Sequence, residues 1–146
     1  MDILFHLYQI GNDGFIYSQI MITKVLIKKV EKGAVYNDLV YDYWVTCCLL
    51  DNSEIVLFDP KPHDLTDLLN QWVEINIKAL FFEQSANADL RSFQGKIVRR
   101  DNGYFFVSNY INIEVKREDV INNKTELEFE NRFYFGRLDI VNVLLR

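Results

Sequence analysis

The sequence predicts a mainly β domain, folded as an antiparallel β-barrel or a strongly bent sheet, and three observations predict it. Apolar and polar residues alternate with a period of two over several segments, the pattern of strands with one face on a core and one on water. Clusters of Asn, Asp and Gly, which accept the left-handed backbone of tight hairpins, separate these segments. Apolar residues make up 49% of the chain and aromatics 14%, enough for a large core, while 6 Gly and 2 Pro leave little for flexible spacers. A chain of 146 residues lies within the size of one domain, so residues 1–146 are expected to share a single core.

The elements follow in order. Ile3–Ile10 reads as a strand and Gly11-Asn-Asp-Gly14 as a turn. Residues 15–32 carry two signals. Ile22, Val25, Leu26 and Val30 fit a helical stripe ending at Lys28, Lys29, Lys32 and Gly33, whereas the abundance of β-branched residues favours a long strand, which is the preferred reading. Tyr41–Leu50 and Glu54–Asp59 read as strands joined at Asp51-Asn-Ser-Glu54. One short helix is expected near residues 64–71, with Asp64 as cap, Leu65, Leu68 and Leu69 as its apolar stripe, and Pro60 and Pro62 setting it off from the strand before.

From Val73 to Phe81 the residues Val73, Ile75, Ile77, Ala79 and Phe81 should face a core, and Glu74, Asn76 and Lys78 water. Phe93–Arg100 is the next strand, turning at Asp101-Asn-Gly103. A long strand then carries Phe105, Val107, Ile111, Ile113 and Val115 on one side, with Ser108, Asn112, Glu114 and Lys116 on the other. In Glu126 to Phe135, Leu127, Phe129, Phe133 and Phe135 point one way, and Glu126, Glu128, Glu130 and Arg132 the other. Arg137–Leu145 completes the series. The order of three strands, a short helix and two strands between residues 15 and 100 is similar to that of an OB-type barrel, an OB-like barrel being one candidate among the other β-barrels and α+β folds that supply the same order. Strands after Phe93 would extend it or build a second sheet on it.

Charge and motifs narrow the function. A net charge of −5, from 21 acids and 16 bases, disfavours general attraction to nucleic acid or anionic membrane. No run approaches the ~18 apolar residues that span a bilayer. The start MDILFHLYQIGNDG lacks the basic region of a secretory signal, so a cytoplasmic location without a membrane partner is expected. Cys47 and Cys48, as neighbours in a strand, point to opposite faces and read as buried thiols rather than a disulfide. His6 and His63 are far apart and have no Cys or His at ligand spacing, so neither metal nor cofactor is expected. There is no G-x-S-x-G elbow and no Gly-rich phosphate loop. Cys47 or Cys48 with His63 is the available nucleophile and base, yet neither thiol has a basic neighbour in sequence to activate it. Asp64 and Asp67 form a carboxylate pair better explained by helix capping. The chain therefore reads as no enzyme.

Two binding surfaces are offered. Glu126, Glu128 and Glu130 would project from one strand face as an acidic ridge for a basic protein partner, the alternative being a charged edge that keeps the sheet from aggregating. The second is Gly95-Lys-Ile-Val-Arg-Arg-Asp-Asn-Gly-Tyr-Phe-Phe-Val107, which resembles the first hairpin of cold-shock and related OB-type RNA-binding domains over these residues, with Phe105 where that family has a small Gly. The resemblance implies that Tyr104 and Phe106 stack on bases and that Lys96, Arg99 and Arg100 face phosphate. Otherwise Tyr104 and Phe106 belong to a second core layer. Trp44, Trp72, Tyr41 and Tyr43 would line a ligand cavity if the barrel were hollow. The expected function is a small acidic, non-enzymatic protein-binding domain of inhibitor or immunity-like type, with single-stranded nucleic-acid binding as the alternative.

Overall fold

A computed structural model of the protein describes residues 21–84, 92–101 and 103–145. The predicted strand Ile3–Ile10, the turn Gly11–Gly14, His6 and residues 15–20 lie outside the described residues, as does Asn102.

Residues 23–32 are strand: β1 (Thr23–Lys32) buries Thr23, Val25 and Ile27 while exposing Lys24, Lys28 and Lys29. A small hairpin of β2 (Val35–Tyr36) and β3 (Leu39–Val40) follows, turning at Asn37 and Asp38 with φ of 51° and 62°. Both values are left-handed, as a two-residue hairpin turn requires. Next come β4 (Tyr43–Cys48) and β5 (Glu54–Asp59), paired antiparallel. The predicted short helix is a 3-10 helix, Leu65–Leu68, whose first turn is capped by the Asp64 carboxylate accepting the Thr66 N–H. The remaining elements are β6 (Trp72–Ala79), β7 (Phe82–Gln84), β8 (Ser92–Arg100), β9 (Gly103–Val107), β10 (Asn112–Val115), helix α1 (Arg117–Asn122), β11 (Asn131–Phe135) and β12 (Leu138–Leu145).

A closed barrel of five strands runs β1-β4-β5-β12-β6 and back to β1. In chain order this ring reads first, second, third, fifth, fourth; only β5 and β12 pair in parallel. With a short helix between the third and fourth strands, it is a Greek-key barrel of OB type. Its fifth strand is Leu138–Leu145, not Phe93–Arg100, because β12 pairs with both β5 and β6 and so fills the gap between them. Residues 80–137 are therefore an insertion that builds a second sheet, β10-β9-β8-β11-β7. This sheet springs from β6, where β1 pairs with Trp72–Ile75 and β10 takes over at Lys78.

Val25, Ile27, Val45, Cys47, Leu57, Ile75, Ile77 and Ile140, each no more than 2% exposed, are buried barrel-strand side chains. Burying an aliphatic side chain of this size contributes about 1.5–3 kcal/mol, which is why the alternation is obeyed so strictly here. On the second sheet Phe106 packs on Phe135 with ring centroids 4.9 Å apart and on Phe133 at 5.7 Å, and the same buried cluster continues into the barrel.

Three expectations are corrected. Phe81 is 43% exposed and Phe82 is buried instead, because β6 stops at Ala79 and the chain turns at Leu80, shifting the alternation by one residue. The long strand through Phe105 and Val115 is two strands, β9 and β10, paired antiparallel. Between them the Ser108 hydroxyl donates to the Ile111 carbonyl at 2.7 Å and accepts the Ile111 N–H at 3.2 Å, closing a turn that has no glycine. Phe106 consequently faces the main core, whereas Phe105 joins Met21 and Val98 in a small cluster of its own. Finally, Glu126–Glu130 is not strand. Glu128 has φ 66°, incompatible with extended backbone, and its N–H bonds the Ile97 carbonyl at 2.9 Å, so the strand begins only at Asn131. No helix among the described residues is long and apolar enough to cross a membrane.

Candidate functional site

Because Val45, Cys47, Ile55 and Leu57 point into the barrel, strand alternation turns Trp44, Thr46, Glu54, Val56 and Phe58 outward. Trp44 and Phe58 lie opposite one another, with ring centroids 4.7 Å apart. On the next strand Asp139 is in register with Phe58, and the Arg137 guanidinium lies 4.3 Å above the Phe58 ring. Arg137 is held there by a fork: Nε donates to Asp139 Oδ1 at 2.7 Å and Nη2 to Oδ2 at 2.9 Å. These hydrogen bonds raise the Arg137 pKa, and the carboxylate matches its charge locally.

Beside this stack a cleft of about 300 Å³ separates the barrel from the second sheet, lined among others by Trp44, Glu54, Ile55, Phe93, Arg137 and Leu138. Across Phe93 lies a second cleft of about 290 Å³, lined among others by Asp51, Ser53, Tyr110 and Glu130. Phe93 lines both clefts, so they adjoin one another, and the pair is called the groove. Cavities of roughly 300 Å³ are large enough to take a ligand group.

The groove is acidic. Glu54 is exposed and makes no ion pair with the described residues. Asp51 accepts the Ser53 hydroxyl at 2.6 Å and the Ser53 N–H at 3.0 Å, and these bonds hold its carboxyl below the usual carboxylate range. Glu130 accepts a long bond of 3.4 Å from the Gln94 amide. The barrel also carries an apolar finger: the β2–β3 hairpin exposes Val35, Tyr36 and Leu39, the last two at 67% and 58%. The Asp42 carboxylate accepting the Ala34 N–H at 2.7 Å helps close its base.

The two surfaces offered by the sequence meet in one place. Glu128 lies 3.3 Å from Lys96 and 3.7 Å from Arg100, so the acidic ridge and the basic hairpin partly neutralise each other within the chain. Such exposed pairs contribute about 0–1 kcal/mol each. Without a strand under them, Glu126, Glu128 and Glu130 do not form a ridge; Glu130 alone of the three lines the groove. Phe106 is fully buried and offers no face for a base, whereas Tyr104 is half-buried against the core, with Arg99 6.0 Å from its ring. Of the four residues expected around a barrel cavity, Tyr43 is buried in the core, Tyr41 and Trp72 are exposed, and Trp44 stands on the outer wall.

Asp59, fully buried, accepts the His63 N–H at 2.7 Å and the Asp64 N–H at 3.3 Å, and its Oδ1 lies 2.5 Å from His63 Nδ1; this braces the turn into the 3-10 helix. Burial, then the carboxylates of Asp64 and Asp59, raise the pKa of the neighbouring Tyr43 hydroxyl. Cys47 is in register with Ile55, four residues along β5 from Asp59, or about 13 Å of strand. That keeps it from His63, and burial pushes its thiol up to about 12. Among the described residues no group of three or more His, Cys, Asp or Glu could hold a metal ion.

Sequence reasoning passed over Glu54, Phe93, Arg137 and Asp139. Arg137 and Asp139 did carry a signal, since residues two apart in extended chain share a face. No protein-family model matches this chain, no curated protein matches it, and no solved structure matches it.

Proposed function

We propose that this protein is a non-enzymatic protein-binding module that receives a basic segment of its partner in the groove between barrel and second sheet. The observation that carries this reading is the composition of the groove: Asp51, Glu54 and Glu130 line it with Trp44, Phe93 and Tyr110, and Arg137, the cation among its described lining residues, is already matched by Asp139. Carboxylates so placed attract a basic partner over several ångströms and speed its approach. Aromatic rings beside them supply the apolar contact area that concentrates binding energy in few residues. The exposed finger adds apolar surface of the kind that marks partner contacts.

The test is an anisotropy titration with a labelled arginine-rich peptide and an acidic peptide of the same length. The protein should bind the basic peptide, and the triple variant Asp51→Asn, Glu54→Gln, Glu130→Gln should bind it at least tenfold more weakly. Equal affinities for wild type and variant, or no binding at low salt, would overturn the reading.

One observation favours a second reading, a single-stranded oligonucleotide. The Trp44–Phe58 pair lies on the second and third barrel strands, the face OB barrels use for such ligands, beside the exposed Lys28, Lys29 and Lys32 of β1. It ranks second because Lys29 is paired with Glu31 and the adjoining groove is acidic. Oligonucleotide binding that falls steeply with salt and is lost in Trp44→Ala would reverse the ranking.

A further inference from the structure

We infer that the groove reads two cationic side chains carried on one extended stretch of the partner, one seated on each side of Phe93. This rests on the reading of the groove as the seat of a basic segment, and adds which segments qualify.

Phe93 is the wall common to both clefts. Its ring is backed by Phe135 at 6.1 Å and Phe106 at 6.5 Å, both buried, so it is a fixed ridge between two seats rather than a movable flap. Each seat has acid without a cationic partner among the described residues: Glu54 on one side, Asp51 and Glu130 on the other. Each also has an aromatic ring, Trp44 and Tyr110 respectively, against which an ammonium or guanidinium group can lie. Within the first seat Arg137 is matched by Asp139, which leaves Glu54, beside Trp44, as the acid for the incoming head group. Asp51, held ionised by Ser53, keeps the second seat negative at neutral pH.

A ridge between two seats imposes a spacing. In an extended segment, neighbouring side chains point to opposite sides, while those at alternate positions share a side and stand about 6.6–6.8 Å apart. Two cations at alternate positions can straddle Phe93; two adjacent cations cannot both enter. Partners should therefore carry Lys or Arg at alternate positions of an exposed strand or loop.

The experiment uses the full chain and labelled peptides of equal length and charge on a Gly-Ser background, with two Arg either alternate or adjacent. The alternate peptide should bind at least tenfold more tightly. Glu54→Gln and Glu130→Gln should each abolish that preference, with circular dichroism matching wild type. If both peptides bind equally and both weaken when the acids are neutralised, the two-seat geometry is wrong and the basic-segment reading stands. If neither peptide binds, both are wrong.

Discussion

The Thr23 hydroxyl donates to the carbonyl of Asn112 at 3.0 Å and accepts the N–H of the same residue at 2.9 Å. One side chain thus completes both main-chain groups of the first residue of β10, at the point where β1 leaves β6 and the second sheet begins. The Asn112 amide answers by donating to the Ile22 carbonyl at 2.9 Å. Barrel and second sheet are stitched together by side chains where no ladder joins them.

Thr23→Val keeps the shape and removes the hydroxyl, leaving both Asn112 groups without their partner at a residue 23 site that is 2% exposed. The expected cost is about 2 kcal/mol, from the penalty of roughly 1–3 kcal/mol for a buried polar group left unpaired. Urea unfolding should give a lower midpoint for Thr23→Val than for Thr23→Ser, and equal midpoints would show the stitch to be idle.

Gly95→Ala should destabilise by about 1–3 kcal/mol, the usual cost of overpacking. A Cβ at Gly95 would sit 2.5 Å from the Val107 carbonyl oxygen and 2.6 Å from the Phe106 ring. The first is backbone and the second is fully buried, so neither can yield cheaply. A thermal midpoint unchanged from wild type would contradict the packing.

Ile113, fully buried, should not tolerate a carboxylate: Ile113→Asp is expected to unfold the protein, a loss of at least 4 kcal/mol. Its half-exposed neighbour Glu114→Gln should leave the circular dichroism spectrum and the unfolding midpoint near wild type. Similar behaviour of the two variants would mean the inward and outward faces of β10 are misassigned.

The two thiols should react in a fixed order. Cys48 is half-buried on the outer face of β4, whereas Cys47 is fully buried with its thiol raised to about 12. A thiolate-seeking reagent near neutral pH should label Cys48 first and Cys47 only on unfolding. Peptide mapping after partial labelling reads the order directly.

Asp51 gives a pH signature. Its folded pKa is depressed by the Ser53 bonds, so the stability they contribute is complete above the ordinary carboxylate value of about 4 and is lost as pH falls through the folded value. Asp51→Asn should therefore lower stability by a constant small amount at neutral pH, with the gap to wild type closing below about pH 4. A gap that widens on acidification would reverse the sign of this coupling.

The fold was legible where local signals agree. Glu54–Asp59 is predicted to the residue because a turn precedes it, Pro60 follows it, and Ile55 and Leu57 alternate cleanly. The second sheet is harder. Phe105, Phe106 and Val107 in succession satisfy either phase of the alternation, and here both faces of β9 are covered, so sequence pattern alone selects the wrong one. Glu126 to Phe129 alternates as a strand should, yet the left-handed backbone at Glu128 is a tertiary outcome secured by the bond to Ile97. Helix α1 buries only Val120, too little for a helical period to register. The groove was hidden for a different reason: its walls come from β4, the β4–β5 turn, β5, β8, the β9–β10 turn and the chain around β11 and β12, segments far apart in sequence.

Closure of the barrel ring also sets an order of assembly. Phe58 of β5 meets Asp139 of β12 across 81 positions (139 − 58), with the entire second sheet synthesised in between. Until then β5 and β6 are raw edges facing one another across an open seam. Loops this long are slow to close, so the clasp is expected to snap shut last, and only when residues 80–137 have folded compactly enough to bring its halves within reach.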